Sequence, residues 1–196
     1  MSRAAALVLL AVWAAVPSVL AQSPDLLAQA RARRVVRPEY KQLHSLSGRQ
    51  LQSDLILRGR VVDESVRLSA DRETAWTDYT LEVLTVLKPA SGGPAAGTRL
   101  VVPREGGNLV VDGKPVTVVN ELFPSLPWVR EHIFMLKKRA GGEEAYDFLD
   151  GPRSILRRDD DGRMRCILPR EEWDYFCTAY NGTTWQELLL ELKPKE

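Results

Sequence analysis

The chain has only two cysteines, Cys166 and Cys177, and their spacing limits the chemistry that they can support. The segment between them, residues 167–176, is too long for the C-x-x-C spacing of a redox pair or a zinc site. A zinc site would also need histidines, and the chain has only His44 and His132. In an oxidising compartment two such thiols form a disulfide, and two buried free thiols are the alternative. We predict a Cys166–Cys177 disulfide, on the condition that the protein is exported.

The histidine, serine and glycine motifs of familiar enzymes are missing from the sequence. It contains neither the G-x-S-x-G elbow of a serine hydrolase nor a glycine-rich phosphate loop that ends in Gly-Lys-Ser/Thr. His132 alternates with Phe134 and Leu136 in a segment of strand character. We therefore predict that His132 is a half-buried strand residue rather than a general base.

The acidic residues do not form a catalytic or metal-binding pattern either. The run Asp159–Asp161 lacks the D-x-D-x-D-G spacing of a calcium loop, and we interpret it as a solvated hairpin turn. The adjacent pairs Glu143–Glu144 and Glu171–Glu172 point in different directions on a helix or a strand, unlike a catalytic carboxylate dyad. The sequence therefore predicts no catalytic, cofactor-binding or metal-binding residues. A hydrolase built around an unrecognised acidic site stays open as an alternative.

Residues 1–21, MSRAAALVLLAVWAAVPSVLA, have the pattern of a secretory signal peptide. Arg3 supplies the positive charge, an apolar run follows, and Val19 and Ala21 occupy the positions that a signal peptidase recognises. The apolar run is short for a hydrocarbon core of ~30 Å, and an uncleaved membrane anchor is the alternative. We predict export to the periplasm or the cell exterior, with a mature chain that begins at Gln22.

The charges of the chain are balanced, which bears on its partners. There are 27 Lys and Arg against 26 Asp and Glu, and removal of Arg3 with the signal leaves the two signs equal. A neutral chain lacks the electrostatic footprint that a nucleic-acid backbone requires. We therefore predict no nucleic-acid partner, and no membrane span after cleavage.

A basic arm, residues 22–53, precedes the main domain. Ser23, Pro24 and Asp25 form a helix start, with a capping hydroxyl, a proline in the first turn and an acid near the positive end of the helix dipole. Basic residues follow at Arg31, Arg33, Arg34, Arg37 and Lys41. We interpret the arm as a short solvated helix and a linker. A tether to anionic lipid or to a partner is the alternative.

From Leu55 onward the hydrophobic periodicity changes to two, which is typical of β-strands. Two long alternating segments are followed by shorter ones, and Asp112-Gly113 is a hairpin signal. Near the end, Thr184–Glu187 forms a capping box ahead of an apolar helical stripe. The pattern predicts a mainly β fold: a small closed or partly open β-barrel over residues 54–168 and a disulfide-linked helical segment over residues 169–196.

The strand segments LILRGRVVDESV, YTLEVLTVLKP, VVPREGG and HIFMLKK, followed by AYDFLDG and DDDGRM, resemble a group of exported bacterial β-barrel domains. That group is similar to the netrin-like and OB-type barrels, and the resemblance covers residues 54–165. It implies a barrel with a C-terminal helix and, because the group has no assigned activity, no catalytic residue. Inhibitory netrin-like domains of animals place an N-terminal cysteine on a protease's zinc. This chain has no cysteine near Gln22, so that mechanism is not implied here.

The loop ELFPSLPWV, residues 121–129, is the predicted contact with a partner. It is interrupted by proline, and its apolar residues Phe123, Leu126 and Trp128 could act as rigid anchors. A loop folded over the open end of the barrel is the alternative.

The chain also has aromatic residues that could line a binding groove or, as we favour, anchor the core and loops: Trp76, Trp128, Tyr146, Trp173 and Tyr180.

Together these patterns predict an exported, non-enzymatic domain that binds an envelope or extracellular protein. A module similar to the netrin-type protease inhibitors, the hydrolase mentioned above and a structural component of the envelope are the alternatives. The sequence identifies no cofactor.

Overall fold

The computed structural model of the protein describes residues 34–36, 45–140 and 145–192. The prediction of a mainly β chain with C-terminal helices is confirmed. The elements are, in order, β1 (Arg34–Val36), α1 (Leu46–Gln52), β2 (Leu55–Leu68), β3 (Ala75–Lys88), β4 (Arg99–Glu105), β5 (Gly107–Val111), β6 (Lys114–Asn120), β7 (Glu131–Lys138), β8 (Tyr146–Pro152), β9 (Ile155–Arg158), β10 (Met164–Cys166), a 3-10 helix (Arg170–Glu172), α2 (Tyr175–Tyr180) and α3 (Trp185–Leu192).

The larger sheet is built around the long antiparallel pair β2 and β3. Its strand order is β10-β9-β7-β2-β3-β4, and β8 pairs with β7 beside this path. Alternate residues of β3, from Ala75 through Tyr79 to Val83, are buried on one face, as the period-two pattern predicts. The buried face forms the inner core, where Tyr79 and Phe134 pack with Phe148 of β8.

The sheet does not close into a barrel, so the closed form of the predicted barrel is wrong. β4 faces β8 across a gap, and in the part of the chain that the structure describes no backbone ladder joins them. The pairings along β3, β2 and β7 make β4 and β8 run in the same direction. Closure would therefore require parallel pairing, which is slightly less stable per residue than antiparallel pairing.

Proline at position 103 gives a second reason for the gap. The Gly106 N–H donates to the Ala75 carbonyl (2.8 Å), and the Val83 N–H donates to the Thr98 carbonyl (2.9 Å). Backbone hydrogen bonding alternates along an antiparallel ladder. The N–H and C=O groups of the even-numbered residues of β4 therefore bond to β3, and those of the odd-numbered residues point toward the gap. Pro103 is one of the latter, so its missing N–H costs nothing inside the sheet and interrupts the free edge.

A smaller sheet has the order β1-β6-β5. The hairpin between β5 and β6 turns at Asp112 and Gly113, which have φ angles of 49° and 76°. Positive φ at both positions is what a two-residue hairpin turn requires, so this predicted turn is confirmed. β1 comes from the basic arm and adds to β6 in parallel, with Val35 opposite Val119.

Helices cover the outer face of the larger sheet. Ile56 of β2 and Met135 of β7 point to this face and form a second core with the helices. The helical contributors to that core are Leu46 of α1, Phe176 of α2, and Trp185, Leu188 and Leu192 of α3. The start of β2 and the centre of β7 are thus covered on both faces, which explains why Leu55–Leu57 and His132–Leu136 are buried without alternation.

The predicted features of the C-terminal segment are confirmed where the structure describes them. The Cys166–Cys177 disulfide joins β10 to α2 and is buried with Leu168. The capping box also forms: the Thr184 N–H donates to the Glu187 carboxylate (2.8 Å) and the Glu187 N–H donates to the Thr184 hydroxyl (3.3 Å).

The signal segment and the predicted helix start at Ser23–Asp25 lie outside the described residues, and both stay predictions. Of the arm, the structure describes β1 and α1, which is capped by the Ser45 hydroxyl. None of the described helices is both long and apolar enough to cross a membrane.

A buried ionic cluster connects α1 to the rest of the fold. The guanidinium of Arg49 is fully buried and donates through Nη1 to Asp150 of β8 (2.8 Å) and through Nη2 to Asp174, the N-cap of α2. It also lies over the ring of Phe176, 4.5 Å from the centroid. One side chain therefore fixes a helix, a strand and a second helix relative to one another.

Arg49→Met should destabilise the protein strongly. The substitution keeps the length of the side chain but leaves two buried carboxylates without the guanidinium, which typically costs about 3–5 kcal/mol. Urea unfolding followed by circular dichroism measures the loss. Arg60→Met is the matched control, because Arg60 is a partly exposed arginine of β2 paired with Glu82. A loss no larger in Arg49→Met than in this control would contradict the structural role of the cluster.

Candidate functional site

The gap between β4 and β8 opens into two adjoining cavities of about 530 and 640 Å³. They share Arg67, Pro103 and Arg139, so they form one continuous depression, which we call the β4–β8 groove. Its other lining residues include Trp76, Asp78, Arg99, Leu100, Val101, Arg104, Glu105, Phe123, Tyr146, Asp147, Phe148 and Gly151.

Arg104 points toward the inner core at one end of the groove. Leu100, Val102 and Arg104 are successive residues on the face of β4 that looks inward, opposite Leu81, Tyr79 and Thr77 of β3. Leu100 and Val102 are buried core residues. A third apolar side chain would continue the core, but the position holds an arginine that is only partly exposed.

Aromatic groups hold the Arg104 side chain in place. Its Nε donates to the Tyr79 hydroxyl (3.1 Å), and its guanidinium lies 5.4 Å from the ring centroid of Phe123 and 5.5 Å from that of Tyr79. Gly106 leaves room beside it, since a Cβ at that position would lie 3.2 Å from Arg104 Nη1. The guanidinium is thus oriented by ring faces, which attract cations without neutralising them.

Arg104 has no carboxylate partner among the residues that the structure describes. The acidic residues of the groove are engaged elsewhere: Asp78 with Arg67 (2.6 Å), Asp147 with Arg139 (2.6 Å) and Glu105 with the hydroxyl of Thr74 (2.8 Å). Within the groove, Arg104 is therefore a fixed positive charge whose Nη atoms make one weak bond, to the Glu105 carbonyl (3.4 Å).

This arrangement can bind an anion. A guanidinium stays protonated at all physiological pH values and presents its donors in a fork that matches a carboxylate. Phe123 and Phe148 form an apolar surface beside it. Across the described ranges, no three His, Cys, Asp or Glu side chains converge in a way that could hold a metal ion.

A third cavity of about 740 Å³ lies between α1 and the C-terminal helices. It is lined largely by apolar side chains such as Leu51 and Tyr175, and its cation is already engaged. Lys88 donates to the carbonyls of Gln50 and Ser53, both at 2.6 Å. Its carboxylate, Glu191, accepts from the Tyr180 hydroxyl (2.7 Å). Because the cation of this cavity is held by two carbonyls, we place the candidate site in the β4–β8 groove instead.

The three residues predicted to contact a partner lie in different environments. Phe123 and Leu126 are 3% and 2% exposed and belong to the inner core, whereas Trp128 is 48% exposed. The Leu126 N–H donates to the Tyr79 hydroxyl (3.4 Å). The loop thus lies over the open end of the sheet, as in the alternative interpretation of the sequence. Phe123 reaches the groove from inside, and of the three residues only Trp128 is directly accessible to a large partner.

The groove brings together only part of the predicted aromatic set. Trp76 and Tyr146 line it, whereas Trp173 packs against the disulfide and Tyr180 packs on Phe176. Sequence reasoning missed Arg104 altogether. The available signal was the alternation of Leu100, Val102 and Arg104, which places a charge in line with core residues.

The acidic run lies in the turn between β9 and β10, as predicted. Its carboxylates pair with neighbouring arginines: Asp159 with Arg157 and Arg165, Asp160 with Arg130, and Asp161 with Arg165. This turn is therefore neutralised by cations of the chain itself, and it contributes nothing to the groove.

His132 is a strand residue, as predicted, but it is fully buried rather than half-buried. Its Nδ1–H donates to the Arg130 carbonyl (2.9 Å), and its ring lies 5.3 Å from that of Phe134. Burial is the main cause that lowers the pKa of His132 to about 4, and the charge of Arg157 lowers it further. The imidazole is therefore neutral at physiological pH, and it does not line the groove.

Acidification should destabilise the protein through His132. The unfolded chain binds a proton near pH 6.5 and the folded chain only near pH 4, so stability falls as the pH drops through this window. The loss is on the order of 3 kcal/mol. Urea unfolding at pH 7 and pH 4 should show a smaller decrease for His132→Gln than for the wild type. An identical decrease in both proteins would contradict the assignment.

The comparisons with known proteins do not identify a family. No protein-family model matches the chain, and no curated protein matches it. The resemblance to netrin-like and OB-type barrels therefore stays a prediction. A function has to be derived from the groove and its residues.

Proposed function

We propose that the protein is an exported, non-enzymatic binding domain whose β4–β8 groove binds an anionic group of its partner. The observation that supports this proposal is the inward-facing guanidinium of Arg104, which has no carboxylate partner in the described ranges. The partner that we favour is a protein of the envelope or the cell exterior.

The energetics of Arg104 support a role in binding. Partial removal of a charge from water is unfavourable unless other groups replace the lost hydration. Two ring faces and one hydroxyl compensate Arg104 only in part. Arg49, in contrast, is fully buried and has two carboxylates. Departures from full pairing are expected at functional sites, and here a ligand could supply the counterion.

The groove is better suited to binding than to catalysis. Arginine does not transfer protons at physiological pH. The carboxylates of Asp78 and Asp147 are held in ion pairs at the rim. The only described histidine is buried elsewhere. No observation favours the hydrolase, the protease inhibitor or the structural component over a binding domain.

The architecture that we propose is a partly open barrel of the OB or netrin-like type. The curvature that brings β4 near β8 supports it, together with the helix after the last strand. In OB-type barrels ligands bind on the strand face and the adjacent loops.

Arg104→Met should abolish most of the affinity for a simple aromatic carboxylate. We choose benzoate as the probe because its ring can contact Phe123 and Phe148 while its carboxylate meets the guanidinium. Loss of a charge-assisted bond costs about 1.5–3 kcal/mol, so binding should weaken at least ten-fold. Titration followed by ¹⁵N NMR measures the dissociation constants of the wild type and the variant.

Arg60→Met is the control for this titration, because Arg60 does not line the groove. It should bind benzoate like the wild type. The unfolding midpoint of Arg104→Met should stay close to the wild-type value, since no carboxylate loses its partner. Binding of benzoate that is equal in all three proteins, or absent from the wild type, would refute the proposed anion site.

Export predicts a defined mass for the protein isolated from the cell envelope. The intact chain should begin at Gln22 and should gain two hydrogens when it is reduced, because the signal is removed and Cys166 and Cys177 are oxidised. Intact-mass spectrometry before and after reduction measures both. If the isolated chain retains residues 1–21, the predicted cleavage is wrong and the segment is an uncleaved anchor.

A further inference from the structure

We propose that the cavity between α1 and the C-terminal helices binds a small amphiphile with an alkyl body and one carboxylate head. This site is separate from the β4–β8 groove, and the inference does not rest on the proposed function. It rests on the volume and lining of the cavity, on the exposed apolar side chains that border it and on the ammonium group of Lys88.

The cavity has the size and lining of a small-molecule site. Its volume of about 740 Å³ lies within the range of roughly 300–1,000 Å³ that is typical of ligand pockets. The buried part of its lining belongs to the second core and includes Leu46 of α1, Ile56 of β2 and Leu192 of α3. An alkyl group that enters the cavity releases water from this lining, which favours a ligand with an apolar body.

Two exposed apolar side chains continue the lining to the protein surface. Leu51 of α1 is 82% exposed, and Tyr175 at the start of α2 is 68% exposed. Contiguous exposed apolar surface is typical of binding sites. Because both side chains border a concave cavity, an alkyl chain inside it would contact them and remove their apolar surface from water.

Lys88 supplies the positive charge of the cavity. Its ammonium group donates to the carbonyls of Gln50 and Ser53, which holds it at the C-terminal end of α1. An ammonium group has three donors, so one N–H remains available after these two bonds. Lys88 forms no ion pair with a carboxylate in the part of the chain that the structure describes. Its charge is therefore fixed in position and open to an anionic ligand.

The carboxylates near the cavity are held by other groups. Asp54 pairs with Lys137 (3.2 Å), and Glu191 of α3 accepts from the Tyr180 hydroxyl (2.7 Å). Glu191 is also exposed, so water and salt screen its charge from a ligand inside the cavity. The remaining N–H of Lys88 thus favours a carboxylate head, and the apolar lining favours an alkyl body.

The test compares ligands that share an alkyl chain and differ in the head group. We would titrate the ¹⁵N-labelled protein with octanoate, octan-1-ol and octylammonium and follow the backbone amides by NMR. Octanoate should shift the amides of Leu51, Leu87 and Tyr175. It should bind at least ten-fold tighter than the other two, because only its head makes a charge-assisted bond to Lys88. Butyrate has the same head and a shorter chain, so it should bind at least ten-fold more weakly than octanoate.

The variants separate the contribution of the charge from that of the apolar lining. In Lys88→Met the ratio between octanoate and octan-1-ol should fall below two-fold, whereas Lys137→Met should keep the wild-type ratio, because Lys137 does not line the cavity. Leu51→Gln should weaken octanoate binding at least three-fold. Its control is Leu190→Gln, since Leu190 is 67% exposed on α3 and lies outside the lining. Leu51→Gln changes an exposed side chain, so it keeps the test decisive if Lys88→Met folds poorly.

Crossed titrations distinguish this cavity from the β4–β8 groove. Lys88→Met should bind benzoate like the wild type, and Arg104→Met should bind octanoate like the wild type. Loss of the benzoate site alone would refute the groove and leave the cavity standing. Octanoate binding that depends on Arg104 and not on Lys88 would overturn the cavity assignment.

The remaining outcomes test the class of ligand. Equal binding of octanoate and octan-1-ol would overturn the carboxylate head, and so would tighter binding of octylammonium that is lost in Glu191→Gln. Absence of octanoate binding from the wild type would overturn the site as a whole. If the cavity amides shift with protein concentration but not with octanoate, the apolar surface is a contact between two copies and the proposal fails.

Discussion

The site depends on a backbone ladder that does not form, between β4 and β8. The two strands run in the same direction, and β4 carries proline where a donor would face β8. Closure would have sealed the inner core beneath a continuous sheet. Because the ladder is missing, the row of inward-facing side chains of β4, Leu100, Val102 and Arg104, is open to solvent at the end where Arg104 lies. The same feature therefore accounts for the open sheet, the groove and the partly exposed guanidinium.

Two arginines of this chain show how the surroundings decide the role of one side-chain type. Arg49 is fully buried between Asp150 and Asp174, so its charge is balanced within the fold and its loss would leave carboxylates unpaired. Arg104 is held by aromatic rings and a hydroxyl, none of which carries a negative charge. The first arrangement connects elements of the structure, and the second retains a charge that a ligand can neutralise.

Features that depend on neighbours in sequence were predictable, and features that depend on strand register were not. The Asp112-Gly113 turn and the Thr184–Glu187 capping box follow from local geometry, and the disulfide was predicted from the two cysteines together with the signal-peptide pattern of residues 1–21. The burial of Phe123 depends on how a loop crosses the end of the sheet. The role of Arg104 depends on which residues of β3 lie opposite β4. The sequence shows that Arg104 alternates with Leu100 and Val102. It does not show that β4 and β8 stay unpaired, which is what leaves this inward-facing charge open to solvent.

The distribution of packing explains how an open edge can persist. The helices, the disulfide and Arg49 all lie on the outer face of the sheet or at its β9–β10 end, and none of the groove residues comes from the segment after Gly151. Stabilisation is thus concentrated away from the groove, at the start of β2 and in the centre of β7, which are covered on both faces. β4 is anchored to β3 along its whole length, so its free edge keeps a fixed shape without a partner. A rigid lining needs little reordering when a ligand binds in the groove, and less of the binding free energy is lost to entropy.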